Sequence, residues 1–299
     1  MANDLFSKGW DYHATETERL AGELEAAAGG PVAAEDVVPF ARLGVHTIGE
    51  HLEDWSRARR LAERVLDGRT PDAATAKAWA HLSIARLLAG DPAGAAEAEL
   101  GFLGAAADFR AGLIEARFML VAALVGCGRT SEATALYAAA LGLARGLGEA
   151  APHRAIAVAS NNLASDLLEE AVRTDEEAAL MALAAGAAHE FWLKCGTWLN
   201  EARALYLLAM VANVLAEPAD ALAHADAALA LIAANGEAPV DAVFLTLTRA
   251  HALQLMGDAA ASAEALARAD AAAAGWDEAG LKTWYATERA RTIGTLVVA

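Results

Sequence analysis

The feature that most constrains this chain is a recurring break between helical segments, a glycine followed five positions later by a small residue. It is clearest in LLAGDPAGAAEAEL (87–100), LVGCGRTSEATALYAAAL (124–141) and LQLMGDAAASAEALARAD (253–270). Carrying the same frame to HLEDWSRARRLAERVL (51–66) and VLAEPADALAHADAAL (214–229) puts Glu53 and Ala216 in the glycine's place. The small residues are then Ala58, Ala95, Ala133, Ala221 and Ser262, with a poorer match near Ala178 filling the one long gap. This gives six units of about 37 to 45 residues. Two antiparallel helices cross closely only where one of them presents no side-chain bulk to the other, and each such pair buries its remaining apolar face against the next pair.

The rest of the pattern agrees with an all-α chain. Period-two alternation is nearly absent, whereas apolar residues recur at three and four positions from about Asp4 to Arg291. Prolines in Thr70-Pro71-Asp72, Asp91-Pro92, Ala151-Pro152, Glu217-Pro218 and Ala238-Pro239 mark helix starts. Gly68, Gly90, Gly128, Gly236 and Gly257 mark helix ends. Roughly fourteen helices result. The hydrophobic fraction of 56% owes much to alanine, and the most apolar stretch, Tyr206 to Leu215, runs into Glu217 and Asp220, far short of a bilayer crossing. The first twenty residues carry charges where an export signal would carry its apolar core, so the expected location is cytoplasmic.

Charge narrows the partners. With 40 acidic against 23 basic side chains and a net charge of −17, the chain would repel a phosphate backbone, so nucleic acid is not the expected ligand. The same acidity keeps an alanine-rich surface soluble. Cys127 and Cys195 are the only cysteines and have no Cys-x-x-Cys spacing, which points to reduced, half-buried residues rather than a disulfide or a zinc module.

Trp79, Leu82, Ser83, Gly90, Asp91 and Ala95 fall at the spacing of the tetratricopeptide repeat, whose unit is about 34 residues. The chain resembles that family over about residues 36–275, with longer units than usual. It departs most around Asn161-Asn162-Leu163-Ala164-Ser165, where the following turn, Arg173 to Asp175, has no glycine. The resemblance implies a right-handed superhelix, an α-solenoid of about six antiparallel helix pairs. Residues 1–35 would then supply an N-terminal capping helix (amphipathic over 4–28 through Phe6, Trp10, Leu20 and Leu24). Residues 276–299 would supply a C-terminal one (277–294, with Leu281, Trp284 and Ile293).

The resemblance also implies a ligand groove lined by the first helix of each unit. By position its residues are Lys77, His81, Phe118, Met119, Asn161, Asn162, Ser165, Arg203, Tyr206, Met210, Asn213, Thr248 and His251. Adjacent amides at Asn161 and Asn162 suit a peptide backbone, since each donates and accepts; the alternatives are that they bond neighbouring helices or that only one of them reaches the groove. Some family members grip a terminal carboxylate with five residues over three units. Only Asn162 and Arg203 match here, Phe118, Ala122 and Leu207 taking the other places, so a mixed apolar and polar peptide fits better than an acidic tail. Trp192 and Trp198 bracket Cys195, where a tryptophan pair either builds an apolar pocket or partner surface or, the favoured reading, fills space at a helix junction.

Catalytic signatures are absent from the sequence: no phosphate loop, no nucleophile elbow, no kinase set. None of the eight histidines has the His-x-x-x-His or His-Glu-x-x-His spacing of a helical metal site, and His46 and His51, five apart, diverge by well over a quarter turn on an α-helix. No cofactor and no metal are expected, and His81, His189 and His251 are the histidines kept in view. Three functions stay open: a non-catalytic peptide- or protein-binding scaffold, a ligand-sensing regulator acting through a separate partner, and a self-associating structural protein, for example a homodimer.

Overall fold

The computed structural model describes residues 2–294, and the side chains of 5–292. Among the described residues there is no strand, and fifteen α-helices account for most of the chain. The chain divides into two compact units after Pro152.

The first unit contains α1 (Ala2–Tyr12), α2 (Thr17–Ala27), α3 (Val37–Gly44), α4 (Trp55–Leu66), α5 (Ala76–Leu88), α6 (Pro92–Ala105), α7 (Phe109–Gly126) and α8 (Thr130–Leu147). Helix α3 continues without a break into a π-helical turn, Val45–His51. Consecutive helices pack as α5 on α6 and α7 on α8, while α3, α5 and α7 touch one another in series. The second unit contains α9 (His153–Glu169), α10 (Asp175–Cys195), α11 (Trp198–Val214), α12 (Pro218–Asn235), α13 (Pro239–Leu255), α14 (Ala259–Ala274) and α15 (Ala279–Gly294). Its pairs are α9 with α10, α11 with α12 and α13 with α14, and α11 also packs on both α9 and α13.

The turns inside the pairs explain the sequence frame. Gly90, Gly128 and Gly257 adopt positive φ, and the only other residues with positive φ, among those described, that are not glycine are Glu53 at 55° and Ala216 at 59°. These are the two positions where the frame replaces glycine. The following amide reaches back to close the helix end, as in Asp91 N to Arg86 O, Arg129 N to Leu124 O, Glu217 N to Ala212 O and Asp258 N to Leu253 O. Asp54, Asp91 and Asp258 then cap the next helix by accepting from Arg57 N, Gly94 N and Ala261 N. Five residues past each reversal the small side chain is buried: Ala58, Ala133 and Ala221 are fully enclosed, Ala95 and Ser262 nearly so. Ala178, the poorer match, is half-buried.

The turn without glycine is solved by a side chain. The Arg173 guanidinium donates to the carbonyls of Leu167 and Leu168 at the end of α9, satisfying groups that a reversed backbone would otherwise bond. Thr174 and Glu177 then form a reciprocal capping box that starts α10.

Three local expectations change. The segment 4–28 is two helices rather than one, because the chain turns at 13–16, where Thr15 N and Glu16 N both close on Tyr12 O. That turn lets α1 fold back on α3, with the Phe6 and Phe40 rings 5.0 Å apart and Gly9 so close to Leu43 that an added Cβ would lie 2.7 Å from its side chain. Pro71 does not start a helix; α5 begins at Ala76, after a turn in which Asp72 accepts from Ala74 N and Thr75 N. Cys195 is exposed rather than half-buried, because α10 ends there and its thiol only bonds back to Phe191 O. Ile293 and residues 295–299 of the C-terminal segment lie outside the described side chains or residues; the visible part of α15 packs on α13 and α14 through Tyr285, whose hydroxyl donates to Asp270.

Two substitutions test the frame by urea unfolding. Ala133→Leu overfills a helix crossing and is expected to cost ~1–3 kcal/mol, whereas Ala216→Gly removes the strain of a left-handed alanine and is expected to add about 1 kcal/mol. A wild-type midpoint for Ala133→Leu would show that the crossing lies elsewhere.

Candidate functional site

The residues expected to line a groove fall in both units, and each unit has its own arrangement. In the second, α11 lies against α9 and α13 and carries Arg203, Tyr206 and Met210 at the i, i+3, i+7 spacing of one helix face. Arg203 is exposed, Tyr206 and Met210 are half-buried, Asn162 on α9 is exposed, and Asn161, Ser165 and His251 are half-buried. Several polar members of the set are occupied between α11 and α13. Arg203 donates to both carboxylate oxygens of Asp241, at 2.7 and 3.2 Å. Burial and the nearby Glu288 carboxylate raise the Tyr206 phenol well above its ordinary pKa.

Asn213 and Thr248 do not belong to an accessible surface. Asn213 is 6% exposed and donates through Nδ2 to Thr248 O at 3.0 Å, while the Thr248 hydroxyl donates to Phe244 O at 3.1 Å. The amide that looked like a ligand anchor instead ties two helices together inside the unit. Sequence position could not separate these roles, since a polar residue on the first helix of a pair can face either a groove or the neighbouring first helix.

In the first unit, Phe118 is a core residue, 6% exposed, with its ring against Tyr137 at 5.1 Å in an edge-on arrangement. An apolar aromatic on α7 gains more by filling the α7–α8 interface than by facing water. Met119 is half-buried and packs into two apolar clusters. Lys77 is exposed and reaches Glu115 on α7 at 3.5 Å. His81 is half-buried; burial, with the positive charges of Arg42 and Lys77, pushes its pKa down to about 3. Burial also lowers His189 and His251. An ion pair between Arg117 and Glu99 stands in the wall of a cleft with Ser83, Pro92 and Leu120.

The grouping that sequence reasoning missed involves His13, His46 and His51, each of which offers one ring nitrogen within 4.8 Å of the others. Two local features bring them together. On an α-helix His46 and His51 would stand roughly 140° apart. In the π turn, built on i to i+5 hydrogen bonds, they fall side by side, with Nε2 to Nε2 at 3.1 Å. The same spacing places Gly44 and Gly49 together on the side facing α4, where an added Cβ on Gly49 would lie 2.5 Å from the Trp55 ring and one on Gly44 would meet Leu61. The wide turn therefore turns two glycines inward and two histidines outward. His13 comes from the break between α1 and α2, with its ring 5.1 Å from that of His46 and 5.0 Å from that of His51. Trp10 lies 5.2 Å from His46, and the Arg42 guanidinium stacks on Trp10 at 5.0 Å. Burial, then the neighbouring His46 and His13, lower the pKa of His51. The legible signal was the coincidence of a Gly pair and a His pair, each spaced by five.

Trp192 and Trp198 fill space: Trp192 is 9% exposed with Arg154 over its ring at 5.6 Å, and Trp198 packs against the core of α11–α13. Burial pushes the Cys127 thiol up, away from a reactive thiolate.

No family model matches this sequence, and no curated protein does. Among solved structures the chain is similar to BtubC (BKLC) from P. vanneervenii, at 18% identity and a TM-score of 0.48, over 83% of this chain and 95% of that one.

The depressed His81 gives a pH test. A histidine kept neutral in the folded state costs nothing above its unfolded pKa near 6.5, and destabilises increasingly as pH falls from there toward 3. His81→Gln is therefore expected to flatten the loss of stability between pH 7 and pH 4, read from urea midpoints; an unchanged slope would mean that His81 protonates freely in the folded chain.

Proposed function

We propose that the chain is a non-catalytic, tetratricopeptide-like helical-repeat scaffold that binds an extended peptide or a segment of a partner protein on the face built from first helices. The cytoplasm is its proposed location. The reading rests on the placement of α11 between α9 and α13, which supports a continuous face bearing exposed Asn162 and Arg203 with half-buried Tyr206 and Met210. Aromatic and methionine side chains flanked by one guanidinium and amides form the usual chemistry of adaptable peptide contacts. The repeated turn frame supports the repeat assignment, since a reversed residue and a buried small residue five positions on recur in both units.

The Arg203–Asp241 pair modifies the expected mode. Arg203 already gives its bidentate Nε and Nη2 donors to a carboxylate, so a carboxylate-terminated ligand gripped in that mode would have to displace Asp241, whereas a peptide with main-chain polar groups needs only the amides and the remaining donors of the guanidinium.

Affinity capture from the native lysate, with the full chain and an Asn162→Ala, Met210→Ala double variant side by side, tests the surface. The expected result is a captured protein whose affinity for the variant falls about tenfold or more, roughly 1.4 kcal/mol, with the helical circular dichroism unchanged. Equal capture by both proteins would remove this face from the binding role.

A further inference from the structure

We propose that His13, His46 and His51 form a binding site for one divalent transition-metal ion of the zinc class, held by three imidazole nitrogens with a coordination position left open to water or an external ligand. The inference does not depend on the peptide-binding reading, and it concerns a different part of the chain.

Three imidazoles around a tetrahedral zinc ion, with bonds of about 2.0–2.1 Å, place their nitrogens about 3.3 Å apart. The His46 and His51 Nε2 atoms stand at 3.1 Å, and one ring nitrogen from each of the three residues lies within 4.8 Å of the other two. The remaining difference would be closed by side-chain rotation of His13, which follows a helix end rather than sitting inside a helix.

Hydrogen bonds fix the ligating tautomer of two of the three rings; with His46 Nε2 accepting, His51 Nε2 donates in the free chain and would give up that proton on binding a metal. The His46 Nδ1 faces the Glu50 carboxylate at 2.5 Å, and a carboxylate can only accept, so the proton sits on Nδ1 and the Nε2 lone pair points toward His51. His13 Nδ1 faces the Trp10 carbonyl at 2.7 Å, which likewise leaves Nε2 as its free nitrogen. A ligating histidine usually has this second partner, carboxylate or backbone carbonyl, on its other ring nitrogen. Here two of three have one. Glu50 also supplies negative charge beside the site, opposing Arg42, which is held on the Trp10 ring.

The local backbone is a second, independent observation. A π turn is rare, costs regular helix hydrogen bonding, and occurs mostly where a site needs side chains re-aimed. In this chain it is the device that makes His46 and His51 adjacent. The donor set of three nitrogens, with no thiolate and no oxygen ligand among them, selects zinc, cobalt, nickel or copper over calcium and magnesium. His51 is exposed and His13 and His46 half-buried, so the open position faces solvent.

The test uses the untagged full chain, stripped with chelator and titrated with cobalt(II) chloride under visible absorption, then with zinc chloride as competitor. Expected are one cobalt ion per chain with low-coordinate d–d bands, displacement by one zinc ion, and a zinc-dependent rise in melting temperature. His13→Gln and His51→Gln, both at sites outside the core, are expected to abolish the one-to-one step while leaving the helical circular dichroism unchanged. Glu50→Gln should weaken binding about 10- to 100-fold, and His224→Gln, in the other unit, should leave it intact. Absence of a saturable one-to-one step in the wild type, or its survival in both histidine variants, would overturn the site.

Discussion

Everything in this protein depends on how closely two consecutive helices can cross. The contact point is an alanine or serine buried to the last few per cent, and its position is set by a backbone reversal five residues earlier. The two features are physically one device. The reversed residue ends the first helix and bonds its last carbonyls, an aspartate cap often starts the second, and the first turn and a half of the second helix then lies against its partner with no side chain between them. Where glycine is missing, the chain either accepts a strained Glu53 or Ala216 or uses the Arg173 guanidinium to close the carbonyls.

Alanine-rich packing has a consequence for polar residues. Small side chains bury little apolar area each, so layers of first helices are also joined by specific polar bonds: Asn213 to the Thr248 carbonyl, Arg203 to Asp241, and Lys77 to Glu115. These bonds take residues that would otherwise be free for a ligand. The surface left on α9, α11 and α13 is therefore mixed, with Asn162 free of the core and Tyr206 and Met210 half-sunk between helices.

The histidine cluster arises from two departures from regular helix. The turn at 13–16 precedes the first pair, and the π turn at 45–51 ends the helix that runs into the Glu53 reversal and packs on α4. Gly44 and Gly49 against Leu61 and Trp55 show that the π turn is packed in place, not a frayed end.

The amino-acid sequence by itself determined the all-helical class, the reversals inside five of the pairs and the small residue five positions past each, even at Glu53 and Ala216 where the glycine is absent, but not the turn at 13–16 or the late start of α5. It could do so because helix ends and close crossings are set by local backbone conformation and side-chain size, both readable over a few residues. It did not determine which groove candidates remain available, because Phe118, Asn213, Thr248 and Asn162 all sit on first helices and which of them is covered depends on the helix packed beside it. Nor did it reveal the meeting of His13, His46 and His51. Spacing rules assume a uniform 3.6-residue turn, whereas one turn here is π-helical, with two glycines packed on α4, and the fold-back of α1 supplies the third ring.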